Sequence, residues 1–401
     1  MLRLIGITIK QQKKKLLLVL VQFFVGFFAL FYAIAMIENV LQYREQVEKL
    51  ASLDTLQPIN YETYEMEKEE NVVQRYEKSI QEILELKAIE KVGIFDKYLY
   101  ELEGLEDFEL EGTKANKDML SMPQWKLKKG SVEELLAYEG QGEEIPVLVT
   151  EQLEKMYPYE SIFHARIIKE EMDVAYESYK VVGVIDSDMK WWSGYTFPIT
   201  DSLINYTKPY FIYPTNDNNF SLDTYGYNTL IAVTEGEDLA KVKSEVVSKY
   251  EKNGIAVTTY SLSEQVEEYY RGQRTFIMTI MAFSIILLVL SVLGCNGTLL
   301  AGIMRRKEEF GIYVAMGLTK RHLLSLVFGE LALLFLIAFL GAMGGCTALL
   351  LGLQTTTRVS MNGRIAGIGL CVMVVAVLLS VIMPLKKVNS LQPIELVEAK
   401  E

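Results

Sequence analysis

Four stretches of the chain stay apolar for the length a helix needs to cross a bilayer: 16–37, 276–304, 323–353 and 365–385. About 20 apolar residues span the hydrocarbon, so each stretch predicts a transmembrane helix. The runs 276–304 and 323–353 exceed that length, which predicts tilt or extension beyond the membrane. Between the first and second spans lies 38–275, whose pattern changes character. Residues 38–54 continue a polar–apolar helical period out of the first span. In 69–90, Val72, Val73, Tyr76, Ile80, Ile83, Leu84 and Leu86 recur every three to four residues, the period of an amphipathic helix. Strand-like pieces follow at 146–149, with Thr150 placed to cap a helix through Met156, and at 179–185. Residues 228–260 read strand–helix–strand, and 261–274 reads as a helix leading into the second span. The fold class predicted is thus four transmembrane helices with an α/β domain of two subdomains, one strand-rich over 115–225 and one α/β over 228–260.

Charge orients this plan. Residues 41–303 carry 25 Lys/Arg against 45 Asp/Glu, a net of −20, while 1–40 and 304–401 are each +4. Lys10, Lys13, Lys14 and Lys15 precede the first span. Arg305, Arg306, Lys307, Lys320 and Arg321 lie between the second and third, and Lys386 and Lys387 follow the fourth. Basic residues concentrate on cytoplasmic loops. The expected layout is 1–15 cytoplasmic, 16–37 first span, 38–275 extracytoplasmic, 276–304 second span and 305–322 cytoplasmic. Then come 323–353 third span, 354–364 short outer loop, 365–385 fourth span and 386–401 cytoplasmic tail, in a cell membrane. The first run could instead be a signal sequence cut near Ala33-Ile34-Ala35, but it is longer than the 7–15 residues usual for one. A net-acidic large domain excludes a nucleic-acid partner, which needs Lys/Arg surplus to neutralise phosphate.

Chemistry is sparse. No phosphate-binding loop is present, so the chain is expected not to hydrolyse ATP itself. The two histidines, His164 and His322, fall on opposite sides of the membrane in this layout and cannot share a metal. The three cysteines, Cys295, Cys346 and Cys371, lie in apolar stretches, which leaves the large domain without disulfides. Gly297/Ala301, Gly341/Gly345 and Gly363/Gly367 repeat small residues at four-residue spacing, a pattern that permits close helix approach in lipid. An aromatic patch, Trp191, Trp192 and Tyr195, offers a candidate ligand-facing surface, with core packing as the plainer alternative. Glu330, near the start of the third span, is costly in lipid and reads either as a bundle contact or as a carboxylate shallow enough to reach water. The 305–323 segment reads as a short amphipathic helix, with Phe310, Val314 and Leu318 on one edge, Gly317 placed to end it and Thr319 to cap the next. Its plainer alternative is a membrane-hugging loop held at the headgroups.

That segment resembles the signature of FtsX-like permeases of the MacB class, the type VII ABC superfamily. The family motif R-x-x-E-[IF]-G-[IL]-x-x-A-[LM]-G, followed by a basic residue and an early Glu in the next span, is matched by Arg306, Glu309, Phe310, Gly311, Ala315, Met316, Gly317, Lys320/Arg321 and Glu330. The four-span plan and the tail (Pro384, then Pro393-Ile-Glu395-Leu396) are similar to the family's as well. In the large domain, 146–153 and 181–184 resemble pieces of the family's outer domain, while the acidic stretch 61–112 departs from it. The resemblance implies a non-catalytic permease subunit. Its loop, from Arg305 and Arg306 through Glu308, Glu309, Phe310, Gly311, Ala315, Met316 and Gly317 to Lys320 and Arg321, would be a coupling helix seated in a separate ABC ATPase subunit that binds the ATP and Mg. Glu330 would help carry the motion. A second permease copy or paralogue, membrane lipid and an accessory extracytoplasmic protein are the other implied partners. The function implied is export or extraction of peptides, antibiotics or lipid-linked molecules by mechanotransmission. The alternative is an FtsX-like regulator controlling a cell-wall hydrolase or a peptide-sensing partner.

Overall fold

The apolar runs lie on four long helices in a computed structural model that describes residues 13–66, 69, 71–140, 142–168, 175–194, 197, 199, 203–205, 208–216, 220–305, 312, 320–352 and 362–390. In chain order the elements are α1 (Lys13–Leu50), β1 (Leu56–Ile59), α2 (Thr63–Met66), α3 (Val72–Leu84), β2 (Ile89–Leu102), β3 (Leu105–Ala115), α4 (Lys117–Ser121), β4 (Leu127–Gly130), α5 (Glu133–Ala137), β5 (Glu144–Val149), α6 (Glu151–Glu154), β6 (Ile162–Ile167), β7 (Glu177–Ile185), β8 (Lys190–Trp192), β9 (Leu203–Asn205), β10 (Tyr210–Pro214), α7 (Leu222–Tyr227), β11 (Thr229–Val233), α8 (Leu239–Lys252), β12 (Thr258–Ser261), α9 (Leu262–Arg305), α10 (Lys320–Gly352) and α11 (Gly363–Ser390). One unit comprises 1–42 and 272–401, the other 43–271. Helices α1 and α9 each belong to both, with the unit boundary falling inside them.

The large domain is built on a ten-stranded mixed sheet in the order β12-β1-β11-β2-β3-β10-β5-β7-β4, with β6 paired to β2 and β7; β8 and β9 form a separate pair. Strand β2 is the seam between the two subdomains. Its first half pairs antiparallel with β11, and from Phe95 onward it pairs with β3. Because successive side chains of a strand point to opposite faces, β2 also feeds three separate cores. Val92 and Ile94 join the core under α3, α7 and α8. Phe95 joins the core that holds Trp191 and Trp192. Tyr100 and Leu102 join an aromatic core with Phe163, Tyr179, Phe211 and Tyr213.

Past the point where β3 ends, α4 takes over the ladder. Asn116 caps α4 by accepting from the Met119 N–H at 2.9 Å. The same Oδ1 accepts from the Ile94 N–H at 3.0 Å, and Nδ2 donates to the Val92 carbonyl at 2.9 Å. Asp118 accepts from the Val92 N–H at 3.1 Å. Side chains thus replace a missing strand, since backbone groups in an interior must find partners. Gly93 makes the approach feasible: a Cβ there would stand 2.9 Å from the Met119 Cα.

Several local expectations shift. The helix expected over 69–90 stops at Leu84, and Ile89 and Glu90 already belong to β2. The hairpin β2–β3, turning at Glu103-Gly104 with Gly104 at φ 79°, lies in the acidic stretch 61–112, where no strand was expected. Thr150 makes no side-chain cap to α6, which is a single turn. Its hydroxyl instead donates to the Lys208 carbonyl and accepts from the Tyr210 N–H, both at 3.1 Å. At the start of α9, Ser261 and Glu264 form a capping box: Ser261 Oγ accepts from the Glu264 N–H at 3.2 Å, and the Glu264 carboxylate accepts from the Ser261 N–H at 3.0 Å. The helix expected over 261–274 is therefore the first part of α9, continuous with the span that follows.

Candidate functional site

Arg305 closes α9, exposed, and Lys320 and Arg321 open α10, so the stretch 306–319 joins the two helices. Ile312 within it is helical and exposed. Arg306, Glu308, Glu309, Phe310, Gly311, Ala315, Met316 and Gly317 lie outside the described residues. Glu330 falls in α10.

The bundle that presents this loop is organised by α1. Phe23, Phe27 and Phe31, spaced by four on one helical face, are all enclosed. Phe23 meets Phe335 at 4.0 Å between ring centroids. Phe27 and Phe31 meet Phe339 edge-on at 5.9 and 5.3 Å, an arrangement favoured by ring quadrupoles. On the neighbouring face, Phe24 and Phe28 cover Gly341 and Gly345. The hydroxyl of Ser284 in α9 donates to the Gly26 carbonyl at 3.2 Å, and a Cβ on Gly26 would come within 2.9 Å of Leu288. Phe31 also lies directly over Gly369 of α11.

The small-residue pairs are thus realised selectively. Gly341/Gly345 form a seat, but for aromatic rings rather than for another backbone. Among the described residues, nothing stands within 4 Å of a Cβ position at Gly297, Gly363 or Gly367. Gly26 and Gly369, the contact glycines of α1 and α11, carry no four-residue signature. Their partners are phenylalanine and leucine on other helices, which no local pattern reports.

In the large domain, Trp191 and Trp192 have no exposed surface. Trp191 stacks on Trp125 at 5.3 Å and meets Phe95 edge-on at 6.2 Å. The surface role considered for these two aromatics is corrected accordingly: they are core residues, packed in one buried cluster with Phe95, Met119 and Tyr210. Tyr195 lies outside the described residues.

Residues 281–393 match the family model for the FtsX-like permease C-terminal region. The membrane unit therefore contains an FtsX-like permease domain, and the match takes in the second half of α9, the 306–319 loop, α10 and all of α11. No curated protein matches the chain. Among solved structures, the chain is similar to the periplasmic region of MacB from Actinobacillus actinomycetemcomitans, at 10% identity and a TM-score of 0.34, covering 57% of this chain and 97% of that one. It is also similar to the extracellular domain of the noncanonic ABC-type transporter YknZ from Gram-positive bacteria, at 11% identity and a TM-score of 0.34, covering 52% and 98%. With four helices among the described residues long and apolar enough to cross a membrane, the chain is a multi-pass membrane protein.

Proposed function

We propose that the protein is the permease subunit of an ABC transporter whose ATP and Mg are bound by a separate ATPase subunit. The 305–322 loop is the coupling element, with Arg305, Arg306, Glu308, Glu309, Lys320 and Arg321 fixing its seat by charge and Phe310 and Met316 filling the groove. Two permease chains act together, identical or paralogous, and the large domain lies outside the cytoplasm. Motion entering at the loop passes along α9, and along α1 packed beside it, to the large domain, which extracts or exports a peptide, an antibiotic or a lipid-linked molecule. The observation that carries this reading is the permease match over 281–393, taken with the unbroken course of α9 from Leu262 to Arg305. A helix of 44 residues extends about 66 Å at 1.5 Å per residue, twice the thickness of a bilayer core. The excess is a lever rather than a membrane anchor.

The test is co-purification with the ATPase encoded beside this chain, followed by its ATPase rate. Glu309→Ala and Gly317→Pro are expected to uncouple the rate from the permease while the protein remains in the membrane. Failure of any ATPase to associate, or unchanged rates in both variants, would overturn the proposal.

A further inference from the structure

Glu38 is the single acidic residue in the first 40 positions. It sits one residue past the first apolar run, yet its side chain is only 11% exposed. A carboxylate withdrawn from water is costly unless it is paired and hydrogen-bonded. Among the described residues both of its partners come from one place, the start of α11. Asn362 Nδ2 donates to Glu38 Oε1 at 3.2 Å, and the Arg364 guanidinium donates to the same oxygen at 3.2 Å.

Asn362 works at both ends. Its Oδ1 accepts from the Ile365 N–H at 3.0 Å and its carbonyl from the Ala366 N–H at 3.2 Å, which makes it the cap of α11. The amide that starts the helix therefore also grips α1. A negative charge beside a helix N-terminus is further favoured by the unsatisfied N–H groups there.

The spacing gives the contact its mechanical meaning. Phe31 and Glu38 are seven residues apart on α1, and Asn362 and Gly369 are seven apart on α11. Seven residues are close to two helical turns, so each pair lies on one face. Phe31 packs on Gly369, and Glu38 holds Asn362. Two contacts about 10 Å apart along a shared seam fix both the rotation and the height of one helix against the other. A single contact would leave rotation free.

We propose that Glu38, Asn362 and Arg364 form a polar clamp that locks the rotational register of α1 against α11 at the end of the membrane unit nearest residue 43. Rotation of α1 requires the clamp to open, and the apolar Phe31–Gly369 contact alone does not hold it. Glu38 and Arg364 are positioning residues in this device.

The test uses the full chain in lipid nanodiscs with Cys295, Cys346 and Cys371 changed to Ala and Ile365→Cys introduced. Ile365, in the first turn of α11, has no exposed surface, so a water-soluble maleimide reads whether the seam is closed. Glu38→Arg sets like charges against each other and is expected to raise the labelling rate at least about tenfold, because the enclosed carboxylate and its charged hydrogen bonds are lost, although Arg364 itself is 70% exposed. The exchanged pair Glu38→Arg/Arg364→Glu is expected to return the rate to within about threefold of the starting chain, because opposite charges again meet. Tryptophan fluorescence, confined to Trp125, Trp191 and Trp192, monitors folding of the large domain separately. Rapid labelling before any charge change, no acceleration by Glu38→Arg, or no recovery in the exchanged pair while the fluorescence is native would each overturn the clamp.

Discussion

Asn116 offers a quantitative check on how the large domain is joined. Its side chain makes three hydrogen bonds, to the Met119 N–H, the Ile94 N–H and the Val92 carbonyl. In Asn116→Ala, loss of the cap costs about 1 kcal/mol, and the two bonds to β2 cost about 1 kcal/mol each. The backbone bond from the Asn116 N–H to the Ile94 carbonyl survives, so the strand is not released entirely. The total is about 3 kcal/mol. For a unit of this size each kcal/mol moves the melting point about 2–4 °C, giving a fall of about 6–12 °C. All three tryptophans of the chain lie in this domain. Intrinsic fluorescence of the full chain in detergent therefore follows the domain's unfolding without removing it from the membrane helices. Asn116→Asp keeps the acceptor but points an oxygen at the Val92 carbonyl, so it should lie between wild type and alanine. A fall under about 2 °C for alanine would refute the view that side chains stand in for a strand beside β2.

Other consequences are equally direct. Gly369→Val forces a side chain against the enclosed Phe31 ring, and overpacking of this kind costs about 1–3 kcal/mol; thermal aggregation in detergent should start earlier, whereas Gly367→Val, with open space at its Cβ, should leave it unchanged. Asp186 is held below the usual carboxylate range by the Asp188 N–H and then by Lys126. A depressed native value stabilises the fold above the unfolded value of about 4 and loses that effect as pH falls through the native one; Asp186→Asn should thus lower the melting point at pH 7 and converge with wild type in acid. Cysteines placed at Lys241 and at Thr319 should be labelled from opposite sides of intact cells, 241 from outside, and outside labelling of 319 would reverse the orientation.

The sequence made some of this legible for physical reasons. Spans declare themselves because lipid demands unbroken apolar length. The helix beginning at 261 and the β-branched run of β7 are local signals and were readable as such, while the Ser261–Glu264 capping box emerged only in the structure. What escaped reading depends on distant partners. In β2 the buried Phe95, Asp96, Tyr100 and Leu102 share the strand with the exposed Leu99, so apolar residues stand on both faces and no clean strand period shows. Gly26, Gly369 and Glu38 take their meaning from Leu288, Phe31 and Asn362, residues on other helices. The burial of Trp191 and Trp192 follows from packing against residues distant in the chain, such as Phe95 and Met119, which leaves no trace in a patch of aromatics.

The most direct test of the central proposal is hydrogen exchange across residues 43–50 and 262–271, where α1 and α9 enter the large domain. It is measured in the complex with the ATPase, nucleotide-free and with ATP bound to a hydrolysis-deficient ATPase. The expected result is a change in protection in both segments on ATP binding, lost in Gly317→Pro while the ATPase stays bound. An ATPase that binds the complex and takes up ATP while both segments keep the same protection would contradict the transmission of motion through these helices.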